Sequence, residues 1–486
     1  MKSSKSITIN AILNTIRQIC TILFPLITLP YASRVLQTDN YGKINFVTSY
    51  ISYFSILSAL GISTYAIREG APIRAEKKKI NEFVKQVFSI NITSTVIAYL
   101  ALLLSVFALE MLWDYKVLIF IYAISIALTT IGVEWVLSIY EDYIFITLQS
   151  IILQVVSLFC MFLFVKTKKD LYTYAIISVA ANSGANIIST LYVRKYIKIR
   201  FTFNMNLKTH LKPLLILLCN TIAMVIYVNS DITILGFLTN DTNVGIYSVT
   251  VKIYTGIKQL LNAVLAVSIP RIVIYLDSKN KEKYNALLSK ILVSLLIVLL
   301  PVMVGMFCLS DELIYIIAGE AYISGAIALR ILSIALCFSI GAGFYANAIL
   351  ITNKLEVKVL KSTLIAAVMN VLLNFFLIKA WEQNGAAFTT MISELFVLIM
   401  CYFYANKLCN IYISRNDIVA IFIGIVFVGL VCLMCRILIL NIYLRVITDI
   451  ALSILVYSAV QIFCKNDIFC YYLISFLNFK NKNRKN

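Results

Sequence analysis

Long apolar runs separated by short polar or basic connections recur along the whole chain, and they constrain its fold more than any other feature. The runs are unbroken over about 20 residues, the length that an α-helix needs to cross the hydrocarbon core of a bilayer. A membrane β-barrel would instead show segments of about ten residues with alternating polarity, so that class is excluded. With 61% hydrophobic and 13% charged residues and a mean hydropathy of +0.91, the chain is predicted to be an all-α polytopic membrane protein.

The apolar runs predict about fourteen transmembrane helices. Their boundaries are least certain at Glu141–Asp142, where a very short turn separates two spans, and at 439–443. The predicted spans lie near 9–33, 43–66, 86–109, 117–140, 145–165, 171–193, 213–238, 243–270, 287–309, 322–348, 362–380, 386–405, 418–438 and 444–463.

The distribution of basic residues predicts the orientation. If the N-terminus is inside, cytoplasmic segments hold 29 of the 42 Lys and Arg residues and outer segments hold 9. Lys and Arg concentrate in cytoplasmic loops, so both termini are predicted to be cytoplasmic. The formal charge of +19 lies in short clusters between apolar runs, which argues against a nucleic-acid partner. Asn10, Asn14 and Arg17 interrupt the first run, so we expect a retained helix rather than a signal peptide.

Cysteine and histidine usage gives no sign of a bound cofactor. The eleven Cys residues are scattered through apolar segments without a CxxC pair, which predicts neither a disulfide framework nor a metal site. The single histidine, His210, lies in a basic connection and is expected to be solvated. We therefore expect no metal and no organic cofactor, and leave coupling to H⁺ or Na⁺ open.

A weak internal repeat predicts two lobes. Leu36, Asp39, Tyr41 and Gly42 connect the first two spans, and a similar set connects the seventh and eighth: Leu238, Asp241, Val244 and Gly245. Six spans per repeat give both lobes one orientation, related by a pseudo-twofold axis along the membrane normal around a central cavity. We predict an N-lobe at 1–200 (helices 1–6), a C-lobe at 201–410 (helices 7–12), two extra helices at 411–465 and a basic cytoplasmic tail at 466–486.

Arg17 stands inside the first span on a stripe with Asn10, Asn14 and Thr21, which helical spacing places on one face. A cation at that depth costs at least about 2.5–3.5 kcal/mol on insertion scales, so it points to a polar cavity visited by an anion. The alternative is snorkelling to the nearby interface.

Span eight carries the longest polar stripe in a predicted helix. Its members are Ser248, Lys252, Thr255, Gln259 and Asn262. Five polar groups on one face, one of them charged, favour a wet cavity over a dry helix contact.

Two further cations lie within predicted spans, and the sequence leaves their roles open. Lys258 lies about 120° from that stripe, on the side of Tyr247 and Tyr254, and Arg330 lies in span ten. Lys258 could line the cavity or snorkel to the interface, and Arg330 could line the cavity, snorkel or form an ion pair.

Acidic residues within spans are candidates for ion coupling. Glu134, Asp231 and Glu394 could each bind a proton or Na⁺ during turnover, or could simply neutralise a neighbouring cation. In the first span, Pro25 and Pro30 each remove a backbone donor and clash with the preceding turn. We expect the helix to bend there, as a gating element or as a static kink.

Three stretches of the chain form recognisable motifs. The first runs from Pro25 to Leu36 and continues to Tyr41-Gly42. The second is Glu134-Trp135 with Glu141-Asp142-Tyr143 and Ile146-Thr147, and the third is Asp231 to Gly236 with Gly245-Ile-Tyr247 and Pro270-Arg271-Ile272. In this order and spacing they resemble polysaccharide repeat-unit flippases, the O-antigen and capsule transporters of the multidrug/oligosaccharidyl-lipid/polysaccharide exporter superfamily. The resemblance covers roughly 9–410. It departs at Gln37, where the family usually has Gly.

The resemblance implies a flippase that moves undecaprenyl-diphosphate-linked oligosaccharide from the cytoplasmic to the outer leaflet of the bacterial inner membrane by alternating access. Cationic cavity residues of the family carry over to Arg17 and Lys252, and less securely to Arg330. Lys258, Asn14 and Gln259 join them as candidates for substrate binding. The implied partners are the lipid-linked oligosaccharide, membrane lipids, and a polysaccharide polymerase with chain-length machinery.

Three rival functions remain at this point. A peptidoglycan-precursor (lipid II) flippase is chemically close, although such proteins tend to have more arginines in their early helices. A drug/cation antiporter of the same superfamily would need an anionic cavity, whereas spans one, eight and ten offer cations. A repeat-unit polymerase or ligase would need a large external loop, and no predicted outer connection clearly exceeds about a dozen residues. We therefore expect a transporter rather than an enzyme.

Overall fold

The computed structural model describes residues 7–277 and 280–471. All regular secondary structure in these residues is helical, which confirms the predicted fold class. Within them, twelve helices are long and apolar enough to cross a membrane by length and composition. The chain divides into two compact units, Met1–Gly245 and Ile246–Asn486.

The first unit holds nine helices among its described residues. They are α1 (Ile7–Ala59), α2 (Ile62–Ile73), α3 (Lys77–Ala108), α4 (Lys116–Gly132), α5 (Glu134–Ile139), α6 (Tyr143–Phe164), α7 (Leu171–Ser183), α8 (Ala185–Val193) and α9 (Leu207–Leu238). Short 3₁₀ turns precede α4 and α7.

The helices that follow belong to the second unit, except for the first turn of α10. They are α10 (Asp241–Asp277), α11 (Lys281–Cys308), α12 (Ser310–Ala318), α13 (Ala326–Gly343), α14 (Glu356–Ala405), α15 (Arg415–Leu438) and α16 (Ile442–Phe463). A π-helical turn, Phe344–Ile351, continues α13.

Two helices are too long to be single spans. The 53 residues of α1 would extend about 80 Å if straight, well beyond the thickness of a bilayer. Each of the two contains a break: at Gln37 (φ 62°, ψ 175°) in α1 and at Glu382 (φ 48°, ψ −127°) in α14. Dividing both at these breaks would bring the twelve candidate spans to the fourteen that the sequence predicts.

Some predicted spans contain interruptions that hydropathy does not reveal. The predicted span 117–140 is divided into α4 and α5 by Val133 (φ 41°), and 171–193 is divided into α7 and α8 at Gly184. The short turn predicted at Glu141–Asp142 is confirmed, with Glu141 at φ 55°. An apolar window reports length and composition, so a one-residue change of direction leaves no trace in it.

His210 is not solvated as predicted. It is 4% exposed, at the start of α9. Its Nδ1 lies 2.6 Å from the Tyr65 hydroxyl, and its Nε2 lies 2.9 Å from Oε1 of Gln86. The prediction fails because the apolar face of α9 packs on α1 and α2 and brings the ring into the core with it.

The two corners that the sequence aligns as a repeat contact each other reciprocally. A Cβ built on Gly42 would lie 1.8 Å from the carbonyl oxygen of Asp241, and one on Gly245 would lie 2.0 Å from that of Thr38. The same interval along the chain separates Thr38 from Asp241 and Gly42 from Gly245. Such reciprocity indicates a local two-fold relation between the corners. Close backbone approach explains why both positions are glycine.

The predicted lobe boundary at 200/201 differs from the division into compact units, because α9 packs on α1 and α2. The predicted boundary follows the sequence repeat, whereas the compact units follow contacts in space. The repeat-based domains therefore stay a prediction. Helices α15 and α16 occupy the predicted extra-helix segment 411–465, and they pack on each other while α15 also packs on α11. Of the predicted tail 466–486, only 466–471 belong to the described residues.

Candidate functional site

Arg17 is paired with Glu134. Nη1 of Arg17 lies 2.8 Å from Oε1 of Glu134, and the two side chains are 31% and 30% exposed. The structure thus brings together a predicted substrate-binding residue of α1 and a predicted coupling residue of α5. The pair is neither fully buried nor free in solvent, so an anion could reach Arg17 and compete with Glu134 for it.

The backbone before Glu134 is strained. Val133 is fully buried and has φ 41°, a conformation that is a genuine outlier for a β-branched residue. The preceding Gly132 approaches Asn186 so closely that a Cβ would lie 2.3 Å from its Oδ1. These two features end α4 and begin α5 at Glu134, which places the carboxylate beside Arg17. Strained backbone that the surroundings hold in place is often found at functional sites.

Lys258 is paired with Glu394. Its Nζ lies 2.8 Å from Oε1 of the carboxylate, with side-chain exposures of 27% and 7%. The ammonium also lies 5.5 Å from the centre of the Tyr254 ring, within cation–π range. On the same side of α10, the hydroxyls of Tyr247 and Thr390 lie 3.4 Å apart. The stripe of α10 that carries Lys258 therefore faces α14, and Glu394 neutralises a neighbouring cation, one of the two roles that the sequence leaves open for this acid.

The other stripe of α10 becomes more exposed from Ser248 to Gln259, and its last member, Asn262, is half-buried again. Ser248 is 1% exposed and its hydroxyl has no hydrogen-bond partner among the described residues, whereas Lys252 and Thr255 are half-buried and Gln259 is exposed. The Thr255 hydroxyl donates to backbone carbonyls of its own helix, including that of Val251 at 2.8 Å. Between Ser248 and Gln259 the stripe therefore passes from a packed to an accessible part of the helix surface. Arg17 and Lys252 belong to different compact units, so their predicted pairing stays a prediction.

Arg330 forms an ion pair, one of the alternatives that the sequence leaves open. Its guanidinium binds Asp311 of α12, and Arg436 of α15 approaches the same carboxylate oxygen at 3.3 Å. The adjacent Glu312 is 4% exposed and accepts a 2.8 Å bond from Arg445 of α16. The two C-terminal helices are therefore joined to α12 by charge pairs.

Sequence reasoning did not find these acidic partners. Asp311 and Glu312 fall between the predicted spans 287–309 and 322–348, so the spans give them no helix contact. The signal was available: two adjacent acids follow an apolar run, while Arg436 and Arg445 flank the turn between the last two spans.

Asp231 lies in a polar seam between α9 and the second half of α1. The residue itself is 6% exposed. Around it, Ser49 Oγ lies 2.7 Å from Thr233 Oγ1, and the Asn229 side-chain amide donates to Ser52 at 3.0 Å. These hydroxyl and amide contacts join helices, which is one of the two uses of polar groups inside membranes.

Helical dihedrals continue through Pro25 and Pro30, and the break in α1 falls at Gln37, beyond both prolines. Gating at the prolines therefore stays a prediction. Asn14 belongs to α1, but its side chain lies outside the described residues.

Relatives of the chain carry names connected with surface polysaccharides. It is 25% identical over 410 residues to an Escherichia coli (strain K12) protein named "Putative O-antigen transporter", and the alignment covers 82% of this chain and 97% of that protein. It is 28% identical over 229 residues to the capsular polysaccharide biosynthesis protein CapF of Staphylococcus aureus, covering 46% and 56%.

Two solved structures share the fold. The lipid II flippase MurJ in an inward closed conformation matches with a TM-score of 0.72 at 16% identity, over 94% of this chain and 99% of that one. An inward-facing multidrug resistance MATE family transporter of the MOP superfamily matches with a TM-score of 0.55 at 12% identity, over 79% and 97%. At these identities the likeness establishes the fold alone.

The resemblance drawn from the three sequence stretches is confirmed by a family match that begins just before the first predicted span. The model of the family described as "Polysaccharide biosynthesis protein" matches residues 7–276, which is more than half of the chain, and the chain therefore belongs to that family.

Proposed function

We propose that this protein is a flippase that moves undecaprenyl-diphosphate-linked oligosaccharide repeat units from the cytoplasmic to the outer leaflet of a bacterial plasma membrane. The product would serve O-antigen, capsular or exopolysaccharide synthesis. The family, the relatives named for O-antigen transport and capsule synthesis, and a fold shared with a lipid II flippase all support this activity. They also favour a transporter over the enzyme alternative, a polymerase or ligase.

The observation that carries the proposal is the half-exposed Arg17–Glu134 pair in an apolar helix environment. A guanidinium presents a planar fork of donors that matches a diphosphate oxygen pair, so Arg17 suits this substrate better than a lysine would. In the absence of substrate, Glu134 satisfies the cation. The arriving diphosphate displaces the carboxylate and gains the charge-assisted hydrogen bonds that Glu134 gives up.

Lys252 would supply a second positive charge to the same diphosphate. The half-buried lysine is followed on its stripe by the exposed Gln259, whose amide can donate to and accept from sugar hydroxyls. Within this stripe the cation precedes the amide by two helical turns, which matches a substrate with a charged linkage and a neutral glycan. Lys258 is already paired with Glu394, so we propose that its main role is in holding α10 against α14.

The change of partner by Arg17, from Glu134 to the diphosphate, could also couple transport to an ion. Protonation of Glu134 would release Arg17 to the diphosphate, and loss of the proton would return Arg17 to the carboxylate and expel the substrate. Glu394 and Asp231 are further candidates for H⁺ or Na⁺ binding. Alternating access by rocking of two lobes, with both termini cytoplasmic, completes the proposed cycle. A polysaccharide polymerase and its chain-length machinery would take the product on the outer side.

Two members of the wider fold class offer alternative substrates. A lipid II flippase would also bind a diphosphate, so Arg17 and Lys252 do not separate it from the proposed function. The family description and the relatives' names favour the polysaccharide substrate. A drug/cation antiporter is disfavoured because a cationic side chain repels a cationic drug.

A deletion strain tests the proposed function. Mass spectrometry of its lipid extract should show accumulated undecaprenyl-diphosphate-linked repeat units on the cytoplasmic side, shielded from a glycosidase added to intact spheroplasts. Restoring the gene should make them accessible. Accumulation of lipid II instead would transfer the assignment to peptidoglycan synthesis, and unchanged lipid-linked sugars would contradict a flippase role altogether.

A further inference from the structure

Two adjoining cavities lie where the connection after α8 runs past the start of α3. Their volumes are about 430 Å³ and 510 Å³, each within the usual range for small-molecule sites. Both are lined by the same three basic residues, Arg194, Lys198 and Arg200. One group of cations therefore lies at the junction of two spaces.

The remaining walls of the two cavities differ in character. The first is completed mainly by polar and basic side chains, among them Asn81 and Lys85 of α3, together with Ile197. The second is completed mainly by apolar side chains, among them Phe88, Ile131 and Phe201, together with Thr190. The combined site is polar at one end and apolar at the other, with positive charge between them.

In the part of the chain that the structure describes, the cations of this site have no acidic partner: no carboxylate lies within 4.0 Å of Lys85, Arg194, Lys198 or Arg200. This contrasts with Arg17, which has an acidic partner. Four basic residues around one pair of cavities attract an anion, and two arginines among them suit a phosphate.

The connection is held in place on both sides of the cations. At its start, the Tyr196 hydroxyl donates to Asp142 at 2.7 Å, and burial together with that carboxylate raises the pKa of Tyr196, so it stays a donor. Further on, the Thr202 amide donates to Ser89 of α3 at 2.8 Å. Ile197, only 3% exposed, joins the apolar core of the first unit. The charged side chains thus project from a fixed backbone rather than from a loose loop.

We propose that this site binds an anionic phospholipid of the surrounding membrane. The phosphate lies among Lys85, Arg194, Lys198 and Arg200, and the acyl chain lies along Phe88 and Ile131. Phe201 and Phe203 are 44% and 91% exposed next to the site, as expected of aromatic side chains at a membrane interface. Basic pockets between membrane helices are suited to such head groups. The proposal does not depend on the transported substrate.

Native mass spectrometry of the full-length protein tests this site directly. The purified protein is titrated with dioleoyl-phosphatidylglycerol and, separately, with zwitterionic dioleoyl-phosphatidylcholine. A triple variant, Arg194→Gln with Lys198→Gln and Arg200→Gln, should bind phosphatidylglycerol at least about tenfold more weakly than the native protein. Phosphatidylcholine should bind weakly to both.

A second triple variant serves as the matched control: Lys77→Gln with Lys208→Gln and Lys212→Gln removes the same charge from exposed positions that do not line the cavities. It should bind phosphatidylglycerol within about twofold of the native protein, and both variants should elute from gel filtration as the native protein does. Equal weakening in both variants would overturn the proposal in favour of diffuse charge attraction. Displacement of the lipid by equimolar inorganic phosphate, or a preference for undecaprenyl diphosphate, would also overturn it.

Discussion

Removal of Glu394 should destabilise the protein because it leaves Lys258 without its partner. The carboxylate is 7% exposed and lies 2.8 Å from Nζ, which makes this a largely buried ion pair. Breaking a buried pair costs about 3–5 kcal/mol, and the 27% exposure of Lys258 lowers the expectation for Glu394→Gln to about 2–3 kcal/mol. For a chain of 486 residues this corresponds to a fall of about 2–3 °C in the unfolding temperature in detergent at a fixed scan rate.

A double-mutant cycle separates the pair from the two side chains. Lys258→Met combined with Glu394→Gln leaves no uncompensated charge, so the double variant should be more stable than the sum of the single changes predicts, by about 2 kcal/mol. Glu76→Gln in the exposed Lys79–Glu76 pair, with exposures of 66% and 56%, is the control and should cost less than about 0.5 kcal/mol. If the losses of stability in the two single variants add up to the loss in the double variant, the ion pair does not stabilise the protein.

Three further substitutions have defined outcomes in the same thermal assay. Gln37→Gly should stabilise the protein by about 1 kcal/mol, since φ 62° with ψ 175° is a region that only glycine adopts readily; a lower unfolding temperature would contradict this. Gly42→Ala should cost about 1–3 kcal/mol because its Cβ would meet a backbone carbonyl, whereas Gly305→Ala, with no atom within 4 Å, should be close to neutral. Arg445→Met should cost about 3 kcal/mol because Glu312 is 4% exposed, and Glu312→Gln in the same chain should restore part of that loss; an unchanged single variant would show that the pair is unimportant.

The fold class was within reach of the sequence because a membrane span has a length and a composition that hydropathy measures directly. The interruptions within the predicted spans could not be predicted from hydropathy. A single residue such as Val133 changes the chain direction without changing the mean hydropathy of its window. Gln37 is an instructive intermediate case. The sequence marks it as a departure from the glycine usual in the family, and the structure places the left-handed break of α1 at this residue. The sequence shows that Gln replaces Gly at this position, but only the structure shows that the residue there has a positive φ.

The candidate site shows the same limit. Helical spacing assigns Arg17 and Lys258 to particular faces, and it identifies Glu134 and Glu394 as unusual acids. It does not say which helix lies opposite each face, so the two ion pairs could not be derived from it. His210 shows that the same limit applies to burial. Its position in a basic connection predicts a solvated side chain, but tertiary packing buries it.

Leaflet exchange in proteoliposomes tests the central claim that Arg17 and Lys252 hold the substrate diphosphate. Purified variants are reconstituted with undecaprenyl-diphosphate-linked oligosaccharide, and transport is read as the fraction that becomes accessible to an external glycosidase. We predict that Arg17→Ala and Lys252→Ala each slow exchange at least about tenfold, and that the double variant does not exceed the protein-free background. Lys79→Ala, which alters an exposed surface charge, should leave exchange unchanged. Native rates in the folded double variant would contradict the account.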